Sequence, residues 1–213
     1  MTKNIPKLMT GPLWPAIAIA IACFGAGLSG NANDSETWLK EGDLVPKVTV
    51  RTGDNEPLDL AKAVREQATL LVFYRGGWCP FCTTQLAELA KVKGELRERG
   101  IDILALSPDR PELVKRNQDN SAFDYRLLSD NDMEAALAFG IAFQVEEELV
   151  RMYKENHSID LEADSGRNHH LLPHPAVYLV DSEGVVRYAH VNPDYRDRLS
   201  AEEILQAAKV LNR

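Results

Sequence analysis

Residues Ala68–Tyr74 (ATLLVFY) form one unbroken run of apolar, β-branched and aromatic residues, and it leads directly into Arg75-Gly76-Gly77-Trp78-Cys79-Pro80-Phe81-Cys82. A run of that length without polar alternation is the pattern of a strand covered on both faces. Such a strand needs sheet neighbours on either side and helices above and below. Pro80 suits a first helical position, because its missing N–H would be unpaired there. Leu86, Leu89, Ala90, Lys93 and Leu96 then share one stripe, so the spacing predicts a helix from Pro80 to about Arg99, closed by Gly100.

The chain alternates in the same way on both sides of this unit. Val48–Val50 reads as a short strand, Leu58–Arg65 as a helix, Ile101–Leu106 as a second buried strand, Pro111–Asn117 as a helix and Tyr125–Leu128 as a strand. Asp132 is the expected cap of a helix reaching Phe139. Residues 140–171 break the rhythm, with a helix at Val145–Glu155 and then a polar loop rich in His and Asp. Ala176–Val180 and Val185–His190 flank Asp181-Ser182-Glu183-Gly184, a hairpin turn. Ser200 with Glu203 has capping-box spacing for a last helix, Ala201–Leu211. Strand–helix alternation followed by a hairpin and a helix implies an α/β fold, with a mixed central sheet of four to five strands and helices on both faces.

The first 32 residues read differently. No charge occurs from Leu8 to Asn33, Lys3 and Lys7 precede the apolar stretch Leu13–Leu28, and Gly30-Asn31-Ala32 offers a small-x-small site. That is the layout of a signal peptide or an uncleaved membrane anchor. Cys23 follows Ala20-Ile21-Ala22, which is similar to a bacterial lipoprotein box with alanine in its aliphatic position. The expectation is a leader or anchor at 1–32, a linker at 33–42 and a domain at 43–213. That domain would work outside the cytoplasm, in a bacterial periplasm, either free or tethered. The chain carries a net charge of −8, and since residues 1–33 hold two lysines and no acid, the remainder carries −10. An acidic domain lacks the basic footprint that nucleic acid needs.

The chemistry points to Cys79 and Cys82. Residues three apart on a helix lie about 5–6 Å apart, within the range a disulfide spans. The helix start favours a thiolate at Cys79, and a thiolate is the attacking species. Cys82, one turn in, is placed to resolve a mixed disulfide. Trp78 reads as a lid over the sulfur or as an ordinary aromatic. Structural zinc would need four ligands, and Cys23 is too remote to help. A dithiol carries its own electrons, so no cofactor is implied.

Four segments, FYRGGWCPFCTTQLAEL, LALSPD, YRLLSDNDMEAALAFGI and LLPHPAVYLVDSEGVVRYAHVNPDYR, resemble the thioredoxin-fold redoxins. The closer resemblance is to peroxiredoxin-like proteins of the alkyl hydroperoxide reductase/thiol-specific antioxidant type. The resemblance runs from about residue 43 to the end. It implies a thioredoxin-like fold with 140–171 as an insertion. Laid on the family's PxxxTxxC signature, the peroxide-attacking Cys falls on Cys82, the Thr on Cys79 and the Pro on Arg75. The family's later Arg falls on Pro175, where thioredoxin-like reductases carry a cis-proline facing the sulfurs. These departures put dithiol–disulfide exchange first and hydroperoxide reduction second. The partners would be a protein or small-molecule disulfide or a hydroperoxide, with a thiol electron donor. Arg75 is placed to lower the thiol pKa. His174, before the proline, is expected to face the pair as a thiolate-stabilising imidazolium. A third reading is a copper carrier built from Cys79, Cys82 and a histidine.

Overall fold

The computed structural model describes residues 37–121 and 123–212. Its organising element is the run singled out above. β3 (Ala68–Phe73) sits near the centre of a seven-stranded sheet of order β2-β1-β5-β4-β3-β8-β9. β4 (Ile101–Ser107) lies parallel to β3, and β5 (Arg126–Ser129) parallel to β4. β8 (Ala176–Val180) runs antiparallel on the other side of β3, followed by β9 (Val186–Val191). β1 (Thr49–Arg51) and β2 (Pro57–Asp59) extend the far edge antiparallel.

The unbroken hydrophobicity is explained by two cores. Leu70 and Val72 of β3, Ile103 and Ala105 of β4, and Val177 and Leu179 of β8 face one cluster, together with Leu86, Leu89 and Leu96 of α2 (Pro80–Glu98). The alternate residues Leu71, Phe73, Leu104, Leu106, Tyr178 and Val180 face the other, which packs on α1 (Leu60–Glu66) and α4 (Glu134–Ala138). Alternation is present, but both faces are apolar. α7 (Ala201–Ala207) packs beside α2 and begins at the predicted Ser200–Glu203 capping box. α3 (Pro111–Asn120) closes the same side over β5.

The mixed sheet with helices on both faces stands as expected, with seven strands rather than four or five. The unexpected ones are short: β2 has three residues, as do β6 (Ala142–Gln144) and β7 (Leu171–Pro173), which pair as a separate ribbon. Between β6 and β7 lie α5 (Glu147–His157) and α6 (Leu161–Ser165); α6 occupies part of the expected loop and is capped by Asp160. α4 is capped by Asp130 rather than Asp132: its two carboxylate oxygens accept the Ala135 and Ala136 N–H groups at 2.9 Å each. Asp132 instead pairs with Arg167 at the surface. The apolar stretch and Cys23 lie outside the described residues. Among the described residues no helix is long and apolar enough to cross a membrane.

Candidate active site

β3 delivers the chain to the mouth of the sheet, and the six residues Tyr74–Cys79 lead it into α2. The Cys79 N–H closes the turn on the Gly76 carbonyl at 3.1 Å. Gly76 has φ +143°, and a Cβ there would collide with the Trp78 indole nitrogen, so the Trp78 ring lies folded across a glycine. Cys79 is the N-cap residue of α2 and Pro80 its first helical residue, as the sequence predicts. Both thiols are free and buried, Cys79 1% and Cys82 0% exposed.

Two guanidiniums converge on this pair, and neither forms an ion pair with a carboxylate among the described residues. Arg198 Nη2 lies 3.2 Å from Cys82 Sγ, its Nη1 donates to Gln85 Oε1 at 3.2 Å, and its Nε donates to the Tyr195 carbonyl at 2.8 Å. Arg75 is 4% exposed, and its charge is held by aromatic faces instead of acids. Its guanidinium carbon lies 4.4 Å from the ring centre of Tyr195, 5.1 Å from Trp78 and 5.7 Å from Tyr153, and Nη2 donates to the Tyr153 hydroxyl at 2.5 Å. Such cation–π contacts hold a desolvated charge without neutralising it.

The consequence is a thiol pair that ionises early once. The Cys82 thiol donates to the Cys79 sulfur. With the Arg75 and Arg198 charges this outweighs the opposing effect of burial and pulls Cys79 down to about 6. Burial, and then the Cys79 sulfur itself, pushes Cys82 far above the usual thiol range. The two sulfurs share one proton, and the first ionisation belongs to the pair. A cleft of about 420 Å³ opens on the Arg198 side, lined by Pro80, Phe81, Thr84, Gln85 and Leu199.

Of the residues named from sequence, Cys79, Cys82, Arg75 and Trp78 come together. Pro175 departs from the expected cis form. No peptide bond among the described residues is cis, so Pro175 is a trans proline between β7 and β8. The His174 ring stacks on Phe143 of β6 at 4.5 Å and tilts against Trp38 at 6.1 Å. Among the described residues no group of three or more His, Cys, Asp or Glu side chains is placed to hold a metal ion, so the copper reading lacks its third ligand. Sequence reasoning missed Arg198, Gln85, Tyr153 and Tyr195. The one available signal was the DYRDR segment (Asp194–Arg198), which fits the family tail but suggests no chemistry by itself.

The sequence profile of the AhpC/TSA family matches residues 42–189. The chain belongs to the AhpC/TSA family. It is 34% identical over 103 residues to the peroxiredoxin Bcp of Escherichia coli (strain K12), a match covering 48% of this chain and 65% of that relative's length. Its fold superposes on a peroxidoxin BcpB from Mycobacterium tuberculosis with a TM-score of 0.62 at 19% identity, covering 82% of this chain and 97% of that one. A reduced Prx3 from Vibrio vulnificus, solved in complex with H2O2, gives 0.64 at 18% identity over 80% and 99% of the two chains. These two likenesses establish the thioredoxin-like peroxiredoxin fold. The expected extracytoplasmic or membrane-tethered placement does not stand. The matched relatives are peroxiredoxins of the Bcp type, and no described helix can cross a membrane. That expectation rested on the first 32 residues alone.

Proposed function

We propose that this AhpC/TSA family member is a thiol peroxidase that reduces hydroperoxides with the Cys79–Cys82 pair. The observation that carries the reading is the Arg198 guanidinium 3.2 Å from Cys82 Sγ, the sulfur at the family's peroxide-attacking position. The family's own later Arg is replaced by Pro175, and a cation from another part of the chain occupies the vicinity of the same sulfur. This reverses the order expected from sequence, where that proline favoured disulfide exchange.

In the proposed cycle the shared proton moves to Cys79, and the Cys82 thiolate attacks the distal peroxide oxygen. The O–O bond breaks, an S–O bond forms, and the departing alkoxide takes a proton to leave as alcohol. Cys79 then attacks the Cys82 sulfenic acid; an S–S bond forms and the hydroxyl leaves as water. An external thiol donor restores the dithiol by exchange. Arg198 and Arg75 supply the positive field for the thiolate and for the developing alkoxide. In this reading the hydroperoxide would arrive through the cleft lined by Arg198 and Gln85, and Arg198 links that cleft to Cys82. The low pKa of Cys79 favours a second reading, in which Cys79 leads a disulfide exchange with no peroxide step.

One equivalent of hydroperoxide separates the two. Cys79→Ser should turn over once and stop as a dimedone-trappable sulfenic acid, whereas Cys82→Ser should form none. Failure of the parent protein to consume hydroperoxide would overturn the peroxidase assignment and leave exchange through Cys79, whereas consumption by Cys82→Ser at the parent rate would move the attacking role from Cys82 to Cys79.

A further inference from the structure

Ser107-Pro108-Asp109 belongs to the LALSPD segment, to which the reading above gives no chemistry. Asp109 follows β4 and is 2% exposed. Its Oδ2 accepts the Gly77 N–H at 2.8 Å, and a Cβ on Gly76 would come within 2.9 Å of Oδ1. Its carbonyl accepts the Ser129 hydroxyl of β5 at 2.6 Å, so both the side chain and the backbone of this residue are engaged. No basic side chain forms an ion pair with it among the described residues. The charged and titratable groups facing it are Tyr74 at the end of β3, Asp164 of α6 and Arg116 of α3, with His169 and His170 lining the same narrow gap beside Trp78. Arg116 is the one permanent cation in that set.

A carboxylate buried without an ion pair is costly, and a chain that needed only a fold here would do better with an amide or an apolar residue. Its placement shows what it holds. The Gly76–Cys79 turn is closed on one side by the Cys79 N–H and on the other by the carboxylate on Gly77. With two glycines in four residues, that turn has little stiffness of its own.

We propose that Asp109 is a positioning residue for the thiol pair: through the Gly77 N–H it fixes the turn that sets the Cys79 sulfur at the start of α2, and protonating it loosens that turn. This rests on the reading of Cys79 and Cys82 as the redox centre. Burial raises the Asp109 carboxyl to about 6, so the clamp would tighten as pH rises through that value.

Alkylation of Cys79 by iodoacetamide in the full-length reduced Cys82→Ser protein tests this without peroxide, so its failure is separate from that of the peroxidase assignment. Asp109→Ala should slow alkylation at alkaline pH by roughly tenfold, the order of a lost hydrogen bond to a charged group. Asp109→Asn keeps an oxygen acceptor and should recover most of that rate. The parent's pH profile should show an inflection near pH 6 beyond that of the thiol itself, and Asp109→Asn should lack it. A parent-like rate and profile for Asp109→Ala would overturn the proposal. If that variant does not fold, retention of the extra inflection in Asp109→Asn overturns it instead.

Discussion

Arg75 and Arg198 share an unusual condition: each is a charge near a thiol with no carboxylate among the described residues in an ion pair with it. An opposite charge at close range lowers an acid's pKa by about 1–3 units. Arg198→Met should therefore raise the first thiol titration, followed by thiolate absorbance, by about one unit and slow the reaction with hydroperoxide about tenfold. Arg198→Lys should recover part of both. An unmoved titration would mean that Arg198 only packs against the sulfur. Cys79 and Cys82 were legible from sequence because their chemistry depends on local spacing. Arg198 was not, because it stands 116 positions from Cys82 and reaches it only through the path of β9 and the loop after it. His174 was named from its place before Pro175, and its packing on Phe143 and Trp38 was not legible because both rings come from distant parts of the chain.

At the level of elements, the long runs were readable and the three-residue pieces were not. β3, β4, β8 and α2 each carry enough residues for hydrophobic pattern to speak, whereas β2, β6 and β7 are too short to show any period. Caps were readable only when they stood next to their helix. Ser200 does. Asp130 stands four residues before α4, and Met133 between them adopts a left-handed φ of 58°, so Asp130 meets its helix through a bend no periodicity reports. Asp130→Ala strips two backbone donors of a buried acceptor and should cost about 2 kcal/mol in chemical denaturation. Asp132→Ala, the cap expected from sequence, loses only a surface pair with Arg167 and should cost well under about 1 kcal/mol. Equal losses would reassign the cap.

The whole molecule inherits opposing pH dependences from these sites. Burial raises Asp109 to about 6 and Asp130 to about 7, so the folded chain keeps protons that the unfolded chain sheds near pH 4. Their contribution to stability is complete below about pH 4 and is lost as pH rises through about 6–7. Cys79 runs the other way: at about 6 when folded and about 8.5 when unfolded, its contribution is complete above about pH 8.5 and lost as pH falls through 6. The melting temperature of the reduced protein should therefore fall from about pH 4.5 to neutrality and rise again toward about pH 8.5. The disulfide form should keep the fall and lose the rise. Calorimetry of both forms checks this, and a rise in the oxidised form would show that the thiol is not its source. The seven-stranded sheet adds a last consequence, because both cysteines sit in the cluster on its α2 side and the α1–α4 side holds neither. The sheet is a partition, so an engineer could rebuild the α1–α4 side or graft a fusion partner at the β1–β2 hairpin, and the redox chamber behind the partition would keep its walls.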